Sequence, residues 1–155
     1  MVMSRMVRRR RGILVVVVAL AALAAASGDA GMRDVLAGPV AAEVLEVIDG
    51  DTIAVRVRIW LGQDLETRVR LEGIDAPELH GKCPRERQLA VSARDFLKAR
   101  LADRPVTLHD VQLGKYAGRV VARVSTEDGD DVGGALVRAG LARGYRGGAR
   151  RSWCD

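Results

Sequence analysis

Apolar and polar residues alternate along residues 52–59, and this alternation constrains the fold more than any other feature. Ile53, Val55, Val57 and Ile59 would share one face of the segment. A strict period of two predicts a β-strand with that face buried. Shorter apolar runs, bounded by turn residues, predict further strands at 44–48, around 69–71, from 106 and at 120–124. We therefore expect five short strands.

Two helical patterns interrupt these strands. The first is expected between Pro84, which suits a first helical turn, and Pro105, which stops the helix. A second, shorter helix is expected at 132–139, with Gly140 as its C-cap. The order predicts an α+β fold, a five-stranded OB-type β-barrel with one helix between strands 3 and 4 and a short helix after strand 5. The apolar stripe of the first helix comprises Leu89, Ala93, Phe96, Leu97 and Leu101.

The N-terminal segment is typical of an export signal. Five arginines without an acidic residue precede an apolar run from Gly12 to Ala26, which small residues close. The run is shorter than the ~20 residues of a membrane-spanning helix, but an uncleaved anchor remains an alternative. We expect a signal peptide or membrane anchor at 1–26, a linker at 27–40 and one domain at 41–155. The protein would then be exported to the periplasm or beyond, and would contact a membrane only if the leader stays uncleaved.

Charge and cysteine usage follow from this division. All 20 acidic residues and 20 of the 25 basic residues come after Ser27, so the remainder of the chain has no net formal charge. The basic character of the whole chain is therefore a property of the leader and not a nucleic-acid footprint. In an exported protein, the two cysteines, Cys83 and Cys154, predict a disulfide.

Four acidic residues lie in two turns that can converge. Asp49 and Asp51 flank a glycine between the first two strands, and Asp75 and Glu78 follow the third strand. If the first and third strands are neighbours, these carboxylates offer the oxygen ligands that hard cations prefer. Turn chemistry alone explains Asp-Gly-Asp equally well, so both interpretations stay open at this point.

Two arginines add a possible phosphate site. Arg70 lies a few residues before Asp75, and Arg119 follows the segment Lys-Tyr-Ala-Gly. Guanidinium groups match phosphoryl oxygens with two parallel hydrogen bonds, although a strand arginine is more often a solvated surface residue. The two histidines are far apart in sequence, and no nucleophile–histidine pair, P-loop or zinc spacing occurs.

Four segments, taken in order, carry a family resemblance. They read IDGDT at 48–52, RLEGIDAPE at 70–78, KYAGR at 115–119 and LVRAGLA at 136–142. Their order and spacing, from about residue 44 to residue 145, resemble the staphylococcal nuclease family. The resemblance implies a Ca²⁺-dependent endonuclease that hydrolyses DNA and RNA to products ending in 3′-phosphate, acting as a monomer.

The resemblance also implies roles for individual residues. Asp51, Asp75 and the backbone carbonyl of Ala76 would bind Ca²⁺, and Glu78 would act as the general base. Arg70 and Arg119 would stabilise the negative charge of the transition state. Lys115 and Tyr116 would contact the phosphate and sugar of the bound nucleotide, and Tyr145 would offer a stacking face.

Four departures from the family pattern accompany this assignment. Ala76 replaces a common threonine, which removes a hydroxyl but keeps the carbonyl. Ala117 is an extra residue, so a bulge or turn must carry Arg119 to its place. Tyr145 stands alone where two tyrosines are usual, and a short tail follows in place of a third helix.

Two other functions remain compatible with the sequence. One is a non-catalytic OB module that binds nucleic acid or a protein partner. The other is a structural protein of the cell envelope that uses Ca²⁺ for stability. The joint presence of Arg70, Glu78 and Arg119 favours the nuclease, because neither alternative requires all three.

Overall fold

The computed structural model describes residues 34–102 and 104–154. The predicted leader, 1–26, lies outside these residues. Within them, no helix is both long and apolar enough to span a membrane. The elements are β1 (Val35–Leu36), β2 (Val40–Val47), β3 (Thr52–Trp60), β4 (Gln63–Leu71), β5 (Ile74–Asp75), α1 (Pro84–Leu101), β6 (Pro105–Leu113), β7 (Arg119–Thr126), α2 (Val132–Arg138) and β8 (Arg143–Gly144).

Five of the strands form a closed barrel in the order β2-β3-β4-β7-β6, and β6 pairs back with β2. The neighbours are antiparallel except β4 and β7, which are parallel. α1 connects the third and fourth barrel strands, and α2 follows the fifth. The predicted α+β OB-type barrel with two helices is confirmed.

The inner face of β3 shows where the alternation holds and where it ends. Ile53, Val55 and Val57 are buried in the core, as predicted. Ile59 is 55% exposed, so its assignment to the buried face is wrong. The reason is that Ile59 lies in the part of β3 that pairs only with β4, where no second neighbour covers the hairpin.

The buried stripe of α1 is rotated slightly from the predicted one. Ala93, Leu97 and Leu101 are buried as expected, but Leu89 and Phe96 are only half-buried. The buried stripe also includes Ala90, and it begins at a charged residue, Glu86.

Three short strands were not predicted. In the described part of the proposed linker, Val35 and Leu36 pair with β6, and Val40 already begins β2. β5 and β8 pair with each other outside the barrel. This second pairing brings the segment after α2 next to the loop that follows β4.

Candidate active site

The turn between β2 and β3 is built to bury an aspartate. The backbone N–H of Asp51 donates to Asp49 Oδ1 at 2.9 Å, which closes a local turn. Gly50 packs so closely that a Cβ atom there would lie 2.8 Å from Ala93 Cβ and 2.9 Å from Ala76 Cβ. This contact with α1 and with the 75–78 loop leaves Asp51 only 4% exposed.

Asp51 is held from three directions. Its Oδ1 accepts a hydrogen bond from the Thr52 hydroxyl at 3.0 Å and also pairs with Arg70 Nη1. Its Oδ2 accepts from the backbone N–H of Ala76 at 3.3 Å. Burial raises the pKa of the Asp51 carboxyl to about 6; the charge of Arg70 opposes this rise and that of Asp49 adds to it. A bound cation would favour the charged form of this carboxylate.

Asp75 lies at the end of β5 and is equally buried, at 4% exposed. β5 is held by β8, with Asp75 opposite Arg143. Asp75 Oδ2 accepts a hydrogen bond from Trp153 Nε1 at 3.4 Å. Asp75 Oδ1 is buried without a hydrogen bond, because Arg150 Nε lies 3.1 Å away but outside hydrogen-bonding geometry. A bound cation would compensate this buried oxygen, which lacks a hydrogen bond.

These groups fit a hard cation by their chemistry. Asp51 and Asp75 are both buried, and the backbone N–H of Ala76, the residue after Asp75, donates to Asp51. The proposed ligand atoms would all be oxygens. They do not form a closed cage. Among the described residues, one group of three potential ligand side chains has its atoms within 4.8 Å of one another: Cys83, Glu86 and Cys154. The two sulfur atoms of that group form a disulfide and offer no thiolate. Because the aspartates form no closed cage, water would complete the coordination shell of a cation bound to them.

Glu78 projects from the loop that leaves this site. Its side chain is 54% exposed, and Oε1 accepts a hydrogen bond from Arg150 Nη1 at 2.6 Å. The loop is shaped by Glu86, whose buried carboxylate accepts from the backbone N–H of Lys82 at 2.8 Å and lies 3.5 Å from that of Glu78. Glu86 therefore holds the backbone that carries Glu78. The sequence does not predict this role, since nothing near Glu86 marks it as a loop support.

Arg70 and Arg119 share one face of the β4–β7 pair. Arg119 is opposite Arg68 and Arg70 is opposite Val121, so the two are offset by two residues along parallel strands. Arg70 contacts Asp51 directly, and its Nη2 lies 3.4 Å from the Ile74 carbonyl oxygen. The structure places Arg70 next to Asp51, whereas Arg119 lies two residues away along the parallel pair.

Arg119 and Tyr116 line a separate cavity of about 450 Å³ that reaches Asp49 and Thr52. The Arg119 guanidinium carbon lies 4.9 Å from the centre of the exposed Tyr116 ring, and its Nε is buried without a hydrogen-bond partner. The backbone N–H of Gly114 donates to the Arg119 carbonyl at 2.9 Å, closing a β6–β7 hairpin loop that accommodates the extra Ala117.

Lys115 and Tyr145 are placed less directly. Lys115 Nζ lies 5.9 Å from the Tyr116 ring centre and is exposed. Tyr145 follows β8; its backbone N–H donates to the Gly73 carbonyl, and its hydroxyl donates to the Gly148 carbonyl at 2.7 Å. Tyr145 lies beside the loop that carries Asp75 and lines neither the Tyr116 cavity nor the cavity next to Glu78.

The tail after α2 contributes residues that the sequence did not assign to the site. Arg150 contacts both Asp75 and Glu78. Trp153 is buried against Asp75, with the Arg143 guanidinium stacked on its ring at 3.7 Å. A disulfide joins Cys154, the next residue, to Cys83 at the start of α1. The only available signal was the position of Trp153 beside a cysteine that was itself expected to be bridged.

Comparison with known proteins agrees with this geometry. The family model described as "Staphylococcal nuclease homologue" matches residues 68–152, more than half of the chain. An Escherichia coli protein and its counterpart in Escherichia coli O157:H7, both named "Uncharacterized endonuclease", are each 33% identical over 111 residues. The alignments cover 72% of this chain and 65% of those relatives, so the chain spans about two thirds of their length. The matched region contains Arg70, Asp75, Glu78, Arg119 and the tail as far as residue 152. The chain belongs to the staphylococcal nuclease family.

Proposed function

We propose that the protein is a nuclease that hydrolyses phosphodiester bonds within DNA and RNA. The observation that carries this proposal is the direct contact of Arg70 with Asp51, next to the equally buried Asp75. A partly buried arginine beside two buried carboxylates offers both a phosphate donor and cation ligands in one place. Family membership supports the same activity.

In this proposal the arginines bind the phosphoryl group. Arg70 keeps one guanidinium nitrogen on Asp51 and presents other donors to the phosphate, while Arg119 has a buried Nε without a hydrogen-bond partner. Because both side chains lie on the same sheet face, both can donate to oxygens whose negative charge grows in the transition state.

Glu78 is the proposed general base. Its carboxylate is accessible to water, and only Oε1 is engaged by a hydrogen bond from the described residues. It would take a proton from the attacking water as the bond to phosphorus forms. The 5′ oxygen would leave, so that the product ends in 3′-phosphate.

Asp51, Asp75 and the backbone carbonyl of Ala76 would hold the cation, for which we propose Ca²⁺. When bound, Ca²⁺ would supply positive charge next to the phosphoryl oxygens. Lys115, Tyr116 and Tyr145 would contact the rest of the nucleotide, and the exposed Tyr116 ring offers a stacking face.

We also propose that the enzyme acts outside the cytoplasm. The Cys83–Cys154 disulfide supports this, because disulfides persist mainly in oxidising compartments. The basic and apolar segment at 1–26 supports it independently.

One observation favours a non-catalytic binding module as the second candidate. Arg150 pairs with Glu78 and lies against Asp75, so two of the groups that catalysis needs are already engaged. A binding module would keep this arrangement permanently, whereas a nuclease must rearrange it.

A plasmid-digestion assay on the purified full chain separates the two candidates. With Ca²⁺ we expect nicking followed by fragmentation, and with chelator we expect no cleavage; Mg²⁺ in parallel tests cation choice. The fragments should accept end-labelling by terminal transferase only after phosphatase treatment, since their 3′ ends are phosphorylated. Binding of DNA without cleavage under every cation condition would support the binding module instead.

A further inference from the structure

The segment from β8 to Cys154 is anchored at both ends. β8 pairs with β5 at its start, and the disulfide to Cys83 fixes its end. Between these anchors, the indole of Trp153 is buried and donates to Asp75. The position of Arg150 therefore follows from a docked backbone and is not that of a loose terminus.

Arg150 spans the two carboxylates on which the proposed chemistry depends. Its Nη1 donates to Glu78 Oε1 at 2.6 Å, and its Nε lies 3.1 Å from Asp75 Oδ1. Its neighbour Arg151 lines the same cavity, which measures about 340 Å³, but forms no ion pair among residues 34–102 and 104–154. The contact is thus specific to one of the tail arginines.

The charge of Arg150 does what a cation would do at Asp75. A buried carboxylate is costly unless a positive group compensates it. Arg150 supplies that compensation from a half-exposed position, with 45% of its side chain accessible. A divalent cation bound to Asp75 would supply it as well. With both present, two positive groups would lie within a few ångströms of one oxygen, and their repulsion would oppose simultaneous binding.

We propose that Arg150 is a built-in competitor of the cation. The anchored tail keeps Asp75 and Glu78 paired with the guanidinium, and a hard divalent cation must displace it to bind. Because the backbone is held on both sides, the exposed side chain can turn away while the tail stays docked. This inference rests on the cation site of the proposed function, and it assigns to Arg150 the role of setting cation affinity.

Calcium titration of the full chain by isothermal calorimetry, without nucleic acid, tests the inference. Arg150→Gln should bind Ca²⁺ about tenfold more tightly than wild type, because it removes one competing charge at a half-exposed site. Arg151→Gln is the matched control, since it removes the same charge from the same tail, and should change the affinity less than about twofold. Equal or weaker binding by Arg150→Gln than by wild type, or no binding by either, would overturn the inference.

A second measurement guards against a folding defect. In chelator, Arg150→Gln should melt at a lower temperature than wild type, because Asp75 loses its compensating charge. Added Ca²⁺ should raise the melting temperature more in this variant than in wild type. Arg150→Lys, which keeps the charge, should bind Ca²⁺ with an affinity between those of wild type and Arg150→Gln; an affinity equal to that of Arg150→Gln would contradict the role of charge.

These readouts do not depend on cleavage. If Arg150→Gln tightens Ca²⁺ binding but no variant cuts nucleic acid, the competitor role stands and the nuclease proposal fails. If the protein cuts DNA but Arg150→Gln leaves Ca²⁺ binding unchanged, the nuclease proposal stands and the competitor role fails.

Discussion

Arg70 connects two parts of the chain through one guanidinium group. It pairs with Asp51 and approaches the carbonyl oxygen of Ile74. A lysine has a single ammonium and cannot copy this fork while also contacting phosphate. We expect Arg70→Lys to lower kcat/KM by about 10²-fold or more, the scale of a lost transition-state donor.

Steady-state cleavage of a defined oligonucleotide checks the Arg70 prediction. Arg123→Lys is the matched control, because Arg123 also pairs with an aspartate, Asp110, from a strand but lies outside the site. Similar activity in Arg70→Lys and Arg123→Lys would show that the fork is not needed.

The proposed general-base role of Glu78 gives a second prediction for a single residue. Glu78→Gln keeps the size of the side chain but removes the base, so turnover should fall at least ~10²-fold. The melting temperature should change by no more than about 2 °C, since the side chain is largely exposed. Glu127→Gln, at an exposed glutamate in the turn after β7, should leave both quantities unchanged. Full turnover by Glu78→Gln would exclude the general-base role.

Residues of the site differ in how visible they are in the sequence. Asp51 and Arg70 belong to compact motifs, and the family resemblance of those motifs placed both residues in one candidate site. Arg150 and Trp153 meet that site from 72 and 78 residues away. No periodicity or spacing records a contact of that separation, because it depends on how β8 returns to β5.

At the scale of elements, the turn between β2 and β3 depends on a missing side chain. A Cβ at position 50 would lie within 3 Å of both Ala93 on α1 and Ala76. Gly50→Ala should therefore lower the free energy of unfolding by about 1–3 kcal/mol through overpacking. It should also weaken Ca²⁺ binding, since the turn positions Asp51.

Urea unfolding measures the effect of Gly50→Ala. Gly144→Ala is the control, because a Cβ there meets no atom within 4 Å, and it should change stability by less than about 0.5 kcal/mol. If the two variants were equally stable, the close packing of the turn would have no energetic role.

Elements with a long periodic signal were predictable, and elements without one were not. The alternation along β3 and the stripe of α1 reflect burial against the barrel core, which acts on many residues in a row. β5 and β8 have two residues each. Their pairing depends on the path of the chain after the end of α2, and two residues are too few to show a period.

At the scale of the whole molecule, the disulfide joins the start of α1 to the tail across 71 residues. Replacing both Cys83 and Cys154 by serine should lower the free energy of unfolding by roughly 4 kcal/mol, on the chain-entropy account of loop closure. Thermal unfolding with and without reductant checks this. Reductant should lower the melting temperature of wild type and should not affect the double-serine variant; insensitivity of wild type would mean that the bridge does not stabilise the fold.

Trp153 also makes the molecule its own optical reporter. The chain has two tryptophans, and the other, Trp60, is 71% exposed on the β3–β4 hairpin. Replacing Trp60 by phenylalanine would leave a single tryptophan, which is hydrogen-bonded to Asp75 and can be excited selectively over the two tyrosines. Its emission would then follow every exchange of partners at that carboxylate in real time, without an added label.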